Sequence, residues 1–176
     1  MSKQDWIWMG HPGHLCIAHW CRFHMNTYVN GYIISTVGEH FPPADVRRIY
    51  LTSRQNFPHL GDDRKRLSKE EYESACQLQG DAFDQWYLQK FGFEEIGLNR
   101  LYESMVFKAE KSDLTCCPWT ICGDDVDMEG YMTVDGAFKG HYDLCEKWDA
   151  EQTPEGSPSL ITSICQAIKE NASQTD

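Results

Sequence analysis

The sequence has no apolar run long enough to cross a membrane, because its longest apolar stretches are only a few residues and a spanning helix needs about 18. It also lacks the charged n-region and apolar h-region of a secretory signal, since Met1–Asp5 leads directly into Trp6-Ile7-Trp8. We therefore expect a cytoplasmic protein that does not associate with membranes.

Basic residues are scarce: 16 Lys and Arg stand against 27 Asp and Glu, which gives a formal net charge of -11. General nucleic-acid binding needs a basic footprint that releases counterions from phosphates, so direct nucleic-acid binding is not expected. The charge suits a partner protein with a basic surface, and a nucleic-acid mimic is one version of such a binder. Acidic charge that serves only solubility is the commoner alternative.

Most motifs that carry an assigned chemistry are missing. The sequence contains no H-E-x-x-H, G-x-G-x-x-G or G-x-S-x-G element and no phosphate-cradling glycine loop. A zinc deaminase needs P-C-x-x-C, whereas Cys117-Pro118 has the reverse order. Catalysis by a cysteine and a histidine stays open, because such partners meet in space. Glu39 and His40 are candidate acid/base groups, although a turn at the end of a strand explains them as well.

Cysteine, by contrast, is plentiful, with eight in the chain. Without an export signal these thiols are expected to stay reduced, which favours metal binding or plain burial over disulfides. Zinc in structural sites is held by four N/S ligands, usually two pairs from separate segments. Two pairs of equal spacing are present, which predicts a structural zinc bound by Cys16, Cys21, Cys117 and Cys122.

Other residues compete with these ligands. His14 and His24 are alternatives for the first pair, and Cys116 is an alternative for the second. Free cysteines that serve as small core residues are the competing interpretation. His141 and Cys145 are four residues apart on an apolar helix face, which favours core packing over chelation.

Asn30-Gly31 is the strongest short-range signal for a type I′ hairpin turn, here between Arg22–Val29 and Tyr32–Val37. Both faces of this hairpin carry apolar residues, so we expect it to be covered on both sides. The expected cross-strand partners are Val29 with Tyr32, Thr27 with Ile34, Met25 with Thr36, Tyr28 with Ile33, Asn26 with Ser35 and His24 with Val37.

The remaining pattern predicts an α+β fold, in which a small antiparallel or mixed sheet is segregated from its helices. Further strands are predicted near 46–52 and 101–109. Helices are predicted from a capping box at Ser68 to Gly80, over Asp81–Phe91, and from Thr133 to about Trp148 with Val134 and Phe138 on the core face. We divide the chain into a single α+β domain over 1–150, a linker over 151–159 and a C-terminal amphipathic helix over 160–171.

Asp125-x-Asp127-x-Glu129-Gly130 matches the opening of an EF-hand calcium loop. The twelfth position, which should be the bidentate glutamate, is Gly136. An acidic surface loop is therefore the favoured interpretation.

Four stretches together carry a family resemblance. They are 13–24 (from Gly-His-Leu-Cys to Cys-Arg-Phe-His), 32–39 (Tyr-Ile-Ile-Ser-Thr-Val-Gly-Glu), 102–109 (Tyr-Glu-Ser-Met-Val-Phe-Lys-Ala) and 140–148 (Gly-His-Tyr-Asp-Leu-Cys-Glu-Lys-Trp). Across roughly residues 10–150 the chain resembles small uncharacterised accessory proteins of tailed bacteriophages and related mobile elements. The resemblance implies a genomic setting, in which such factors commonly bind and redirect or inhibit a host protein, including host defence complexes.

These observations favour a binding protein that acts on a host protein with a basic surface, with any metal serving only the fold. A small metal- or cysteine-dependent enzyme is the alternative that the density of cysteine and histidine near the N-terminus suggests. A virion or assembly component is a third option.

Overall fold

A computed structural model describes residues 6–9, 18–57, 66–97, 99–114 and 117–150. It confirms the α+β class, with one antiparallel sheet of order β1-β2-β3-β4-β5. The strands are β1 Ile7–Trp8, β2 Cys21–Val29, β3 Tyr32–His40, β4 Tyr102–Leu114 and β5 Cys117–Tyr131. The helices are α1 Ala44–Asn56, α2 Lys69–Gln77, α3 Gly80–Phe91 and α4 Val134–Ala150, and a short 3-10 turn over Ala18–Trp20 precedes β2.

The β2–β3 hairpin forms in the predicted register. Asn30 and Gly31 have positive φ angles of 44° and 86°, as a type I′ turn requires at both central positions. All six predicted cross-strand pairs, from Val29 with Tyr32 to His24 with Val37, are present. Eight of the nine residues of β3 are buried, so this strand is covered on both faces as predicted, whereas Arg22 and His24 near the start of β2 are exposed.

Helix α4 covers one face of the sheet. Its Leu144 and Cys145 pack with Val29, Ile34 and Val106 in a buried cluster. The helix begins next to Thr133, whose Oγ1 accepts a hydrogen bond from the Gly136 N–H at 3.1 Å. The predicted helix is thus confirmed, and its position places one end of α4 beside β5.

The strand predicted near 46–52 is wrong, because this segment lies inside helix α1. Its β-branched and aromatic residues suggested a strand, but burial follows the helical period instead. Arg47 and Leu51, four residues apart, are the buried residues of α1. Leu51 packs against Phe83 and Tyr87 of α3 in a second core. The tertiary contact with α3 therefore overrides local propensity.

The two middle helices follow the sequence signals closely. The capping box between Ser68 and Glu71 is present, although α2 ends at Gln77 rather than Gly80. Gly80 instead begins α3, which ends at Phe91 as predicted and is followed by Gly92 with a φ of 71°. No helix in the described ranges combines the length and apolar character that a membrane crossing needs. The predicted linker 151–159 and helix 160–171 lie outside the described residues.

Gly38 shows how tightly β3 and β4 are packed. A Cβ at this position would lie 2.0 Å from Cδ1 of Tyr102, whose ring packs edge-on against Phe23. We expect Gly38→Ala to lower the free energy of unfolding by about 1–3 kcal/mol, because the buried ring must move. Tyr102→Leu should relieve part of this cost. In urea unfolding, the double variant should therefore lose less free energy of unfolding than the sum of the losses in the two single variants. Strictly additive effects would contradict the contact.

Candidate functional site

The predicted metal ligands divide between described and undescribed parts of the chain. Cys21 and His24 lie on β2, and Cys122 lies on β5. Cys16, His14 and Cys116 lie outside the described residues, and nothing is described of the Cys117 side chain.

The structure does not bring Cys21 and Cys122 together. Cys21 pairs with His40 at one end of the β2–β3 ladder. Cys122 pairs with Lys108, whose partner on β3 is Tyr32 at the other end. Tyr32 in turn pairs with Val29 of β2. The row of paired residues that contains Cys122 therefore lies eight residues along β2 from the row that contains Cys21, which is roughly 26 Å at the rise of an extended strand. One zinc cannot bind both cysteines, and the described residues contain no group of three or more His, Cys, Asp or Glu that could hold a metal.

A zinc site therefore stays a prediction. It would contain either Cys21 or Cys122, and its other ligands would include residues outside the described ranges. If protein purified without chelator contains one zinc per chain, we expect either Cys21→Ser or Cys122→Ser to lower its zinc content, but not both. The reason is that a tetrahedral site has ligands about 2.0–2.3 Å from the metal. Elemental analysis of the two variants checks this. Loss of zinc in both would contradict the separation of the two rows.

Cys21 and Cys145 are not activated nucleophiles. Burial raises the pKa of the Cys21 thiol to about 11, against a smaller lowering by a backbone hydrogen bond from Gly38. Burial likewise raises the pKa of the Cys145 thiol to about 12. The thiolate is the reactive form, so both thiols are unreactive at neutral pH. Neither supports the cysteine-enzyme alternative.

His141 is the centre of a buried polar chain beneath α4. Its Nε2 lies 2.8 Å from Thr27 Oγ1, and its Nδ1 lies 2.7 Å from Thr36 Oγ1. Thr36 Oγ1 is in turn 2.6 Å from Ser104 Oγ. Both His141 and Cys145 are fully buried, which confirms the prediction that they are core residues. Burial lowers the pKa of His141 from 6.5 to about 4, so this imidazole is neutral at pH 7.

Glu39 and His40 do not form an acid/base pair in the structure. Glu39 has a positive φ of 54°, and its Oε1 accepts a hydrogen bond of 3.3 Å from the Tyr102 hydroxyl. His40 is buried against Trp20, with ring centroids 5.8 Å apart, and burial lowers its pKa. Neither ring nitrogen of His40 has a hydrogen-bond partner among the described residues.

The segment predicted as an acidic loop is a strand. Asp125, Asp127 and Glu129 all lie within β5, which excludes an EF-hand loop there and corrects the loop prediction. The strand contains four acidic residues and no basic one. β5 is the last strand of the sheet, and charged side chains at a sheet edge discourage pairing with other chains.

Carboxylates of β5 and α4 converge around one lysine. Lys139 forms an ion pair with Asp143, and the charges of Glu129 and Glu146 add to it. The hydrogen bond to Asp143 is the main cause that raises the pKa of Lys139, followed by these charges. Asp143 is thus the ion-pair partner of Lys139, and Glu129 and Glu146 interact with it electrostatically over a longer distance.

The second lysine of α4 is also engaged. Lys147 Nζ lies 2.7 Å from Asp127 Oδ2, which also accepts a hydrogen bond of 3.2 Å from Trp148 Nε1. Burial raises the pKa of Asp127, but these hydrogen bonds lower it more, so it lies below its ordinary value. We call the surface formed by Asp127, Glu129, Asp143 and Glu146 the acidic face. Its two lysines are paired, and its remaining charge is negative.

An exposed apolar row lies next to the acidic face on α4. Val134, Phe138 and Tyr142 follow one another at intervals of four residues and are 37%, 45% and 48% exposed. Phe138 packs edge-on against Phe23, and Tyr142 stacks on Trp6. These contacts hold the two aromatic rings while leaving nearly half of each in solvent. We call these three residues the apolar row.

The sequence pattern missed the apolar row, because it assigned Val134 and Phe138 to the core face. The buried residues of α4 are Ala137, Gly140, His141, Leu144 and Cys145. Gly140 is the signal that could have indicated this orientation, since a Cβ there would lie 2.1 Å from the Tyr131 hydroxyl oxygen. The close approach at Gly140 turns Val134 and Phe138 outward.

Comparison with known proteins gave no relative: no family model, no curated protein and no solved structure matches the chain.

Proposed function

We propose that this protein is a phage-encoded accessory protein that binds a host protein with a basic surface and modulates or inhibits it, such as a component of a host defence complex. The observation that supports the proposal is that Asp143 pairs with Lys139, and Glu129 and Glu146 interact with it electrostatically, on the helix that exposes the rings of Phe138 and Tyr142. The phage setting rests on the sequence resemblance alone.

The two parts of this surface have different physical roles in binding. Surplus carboxylates attract a basic partner during encounter and select against acidic ones, which raises the association rate more than the final affinity. Aromatic rings that are already positioned by Phe23 and Trp6 lose little conformational freedom on binding. Aromatic residues with a charged rim are typical of protein interfaces.

Protection of an exposed strand edge explains only part of the surface. It accounts for the acidic residues of β5, because charge at an edge prevents further strand pairing. It does not account for Phe138 and Tyr142, which lie on a helix and expose apolar area. A solvated helix would carry polar side chains at these positions.

Affinity capture from a bacterial lysate tests the proposal. We expect a basic protein to be retained in a 1:1 complex and released as the salt concentration rises, because screening shortens the reach of the carboxylates. Failure to retain any basic protein, together with turnover of a small substrate by the pure chain, would overturn it.

A further inference from the structure

A cavity of about 310 Å³ is lined by residues that do not belong to the acidic face. One wall consists of the segment from His19 to Arg22, which leads into β2. The other lining residues are the segment Phe41–Ala44, Arg47 of α1 and Asp84 of α3. The cavity has a volume in the range of small-molecule sites.

Arg47 places an unsatisfied cationic group at this cavity. The residue is 1% exposed, its Nε donates to Pro42 O at 2.7 Å, and its Nη2 donates to Asp84 Oδ1 at 2.6 Å. Its Nη1 is buried without a hydrogen-bond partner in the described part of the chain. A buried guanidinium with unused N–H groups is unfavourable, so an acceptor that enters the cavity relieves this cost.

The N-terminus of α1 faces the same space. Pro43 and Ala44, where the 13-residue helix begins, line the cavity. Pro43 supplies no side-chain hydrogen bond to the first turn. The first N–H groups of a helix are unsatisfied within it and carry a partial positive charge. An anion in the cavity is therefore favoured by the helix as well as by Arg47.

A second guanidinium completes the arrangement. The Cζ atoms of Arg22 and Arg47 lie 4.3 and 3.9 Å from the centre of the Phe41 ring. Stacking on one ring restricts both groups before a ligand arrives. Asp84 compensates the charge of Arg47, and no carboxylate of the described residues forms an ion pair with Arg22, whose charge can balance an anion.

We propose that this cavity binds a small molecule through an oxyanion, either a phosphate or a carboxylate group. Arg47 Nη1 and the first-turn amides of α1 hold the anion, and Arg22 closes over it from the exposed side. The site is separate from the acidic face. Its ligand is an anion, whereas the partner of the acidic face is basic.

Titration of the full chain with inorganic phosphate, and separately with acetate, tests the site by amide NMR. Sodium chloride keeps the ionic strength constant. We expect saturable shifts of the amides of Ala44, Asp45 and Val46 with at least one of the two anions. A response to phosphate alone assigns phosphate esters, and a response to acetate as well assigns carboxylates as ligands.

Because Arg47 is buried and its replacement can unfold the chain, the exposed Arg22 is the residue to change. Arg22→Gln should lower the affinity for the anion at least fivefold. Arg66→Gln, which removes the same charge outside the cavity, should leave this affinity unchanged. Shifts that do not saturate with either anion, or an equal affinity in Arg22→Gln and the unaltered protein, would overturn the proposal.

Discussion

Reversing two charges on the acidic face, with Glu129→Lys and Asp143→Lys in one chain, is expected to weaken partner binding about 100-fold. Both carboxylates lie around Lys139, one from β5 and one from α4. The variant replaces their attraction for a basic partner by repulsion and leaves Lys139 without its ion pair. Most of the loss at low salt should be in the association rate, which surface plasmon resonance measures directly.

The matched control reverses Glu73 and Asp81, which are exposed on α2 and α3. It makes the same change in net charge, and Glu73, like Asp143, pairs with a lysine four residues away. This control should bind within about twofold of the unaltered protein, since neither residue belongs to the acidic face and salt screens exposed charges that do not contact the partner. Equal losses in both variants would show that only the overall charge matters and that the acidic face is not the binding surface.

The second large effect is expected from His141. The folded chain holds this imidazole neutral, whereas the unfolded chain protonates it near pH 6.5. The unfolded state thus binds more protons between about pH 6.5 and 4, so the free energy of unfolding falls as the pH is lowered through this range. With a folded-state pKa of about 4, the loss is about 3 kcal/mol and is complete below that pH.

His141→Gln isolates this contribution. The variant should be about 1–3 kcal/mol less stable at pH 7, because Thr27 and Thr36 lose well-placed partners in the core. Its stability should then fall less than that of the unaltered protein between pH 6.5 and 4, as measured by urea unfolding at each pH. His24→Gln removes an exposed histidine from β2 and serves as the control. Parallel pH profiles for the unaltered protein and His141→Gln would contradict a neutral buried imidazole.

Short-range sequence signals predict much of the fold. The Asn30-Gly31 turn determines the β2–β3 register, because a turn with two positive φ angles permits only one pairing of its flanking strands. The capping box at Ser68 and the glycine after Phe91 likewise mark real helix ends. Each of these signals acts within a few residues, which is why the sequence alone reveals it.

The errors occur where distant segments decide the structure. Residues 46–52 have the composition of a strand, but contact with α3 through Leu51 makes them helical. Because that segment was predicted as a strand, Arg47 was not placed at a helix N-terminus and its cavity was missed.

The candidate site was predicted only in part. The net charge indicated a basic partner, but no local pattern places Glu129 beside Asp143. That proximity depends on how closely α4 approaches β5, which Gly140 permits.

Site-specific photocrosslinking tests the central claim, that the surface of α4 beside β5 binds the partner. A photoreactive phenylalanine analogue is placed at Tyr142 in the apolar row and, as a control, at Ile49 on α1, which is 62% exposed. The account predicts a crosslink to the captured protein from position 142 and none from position 49. A crosslink from position 49 with none from position 142 would contradict it.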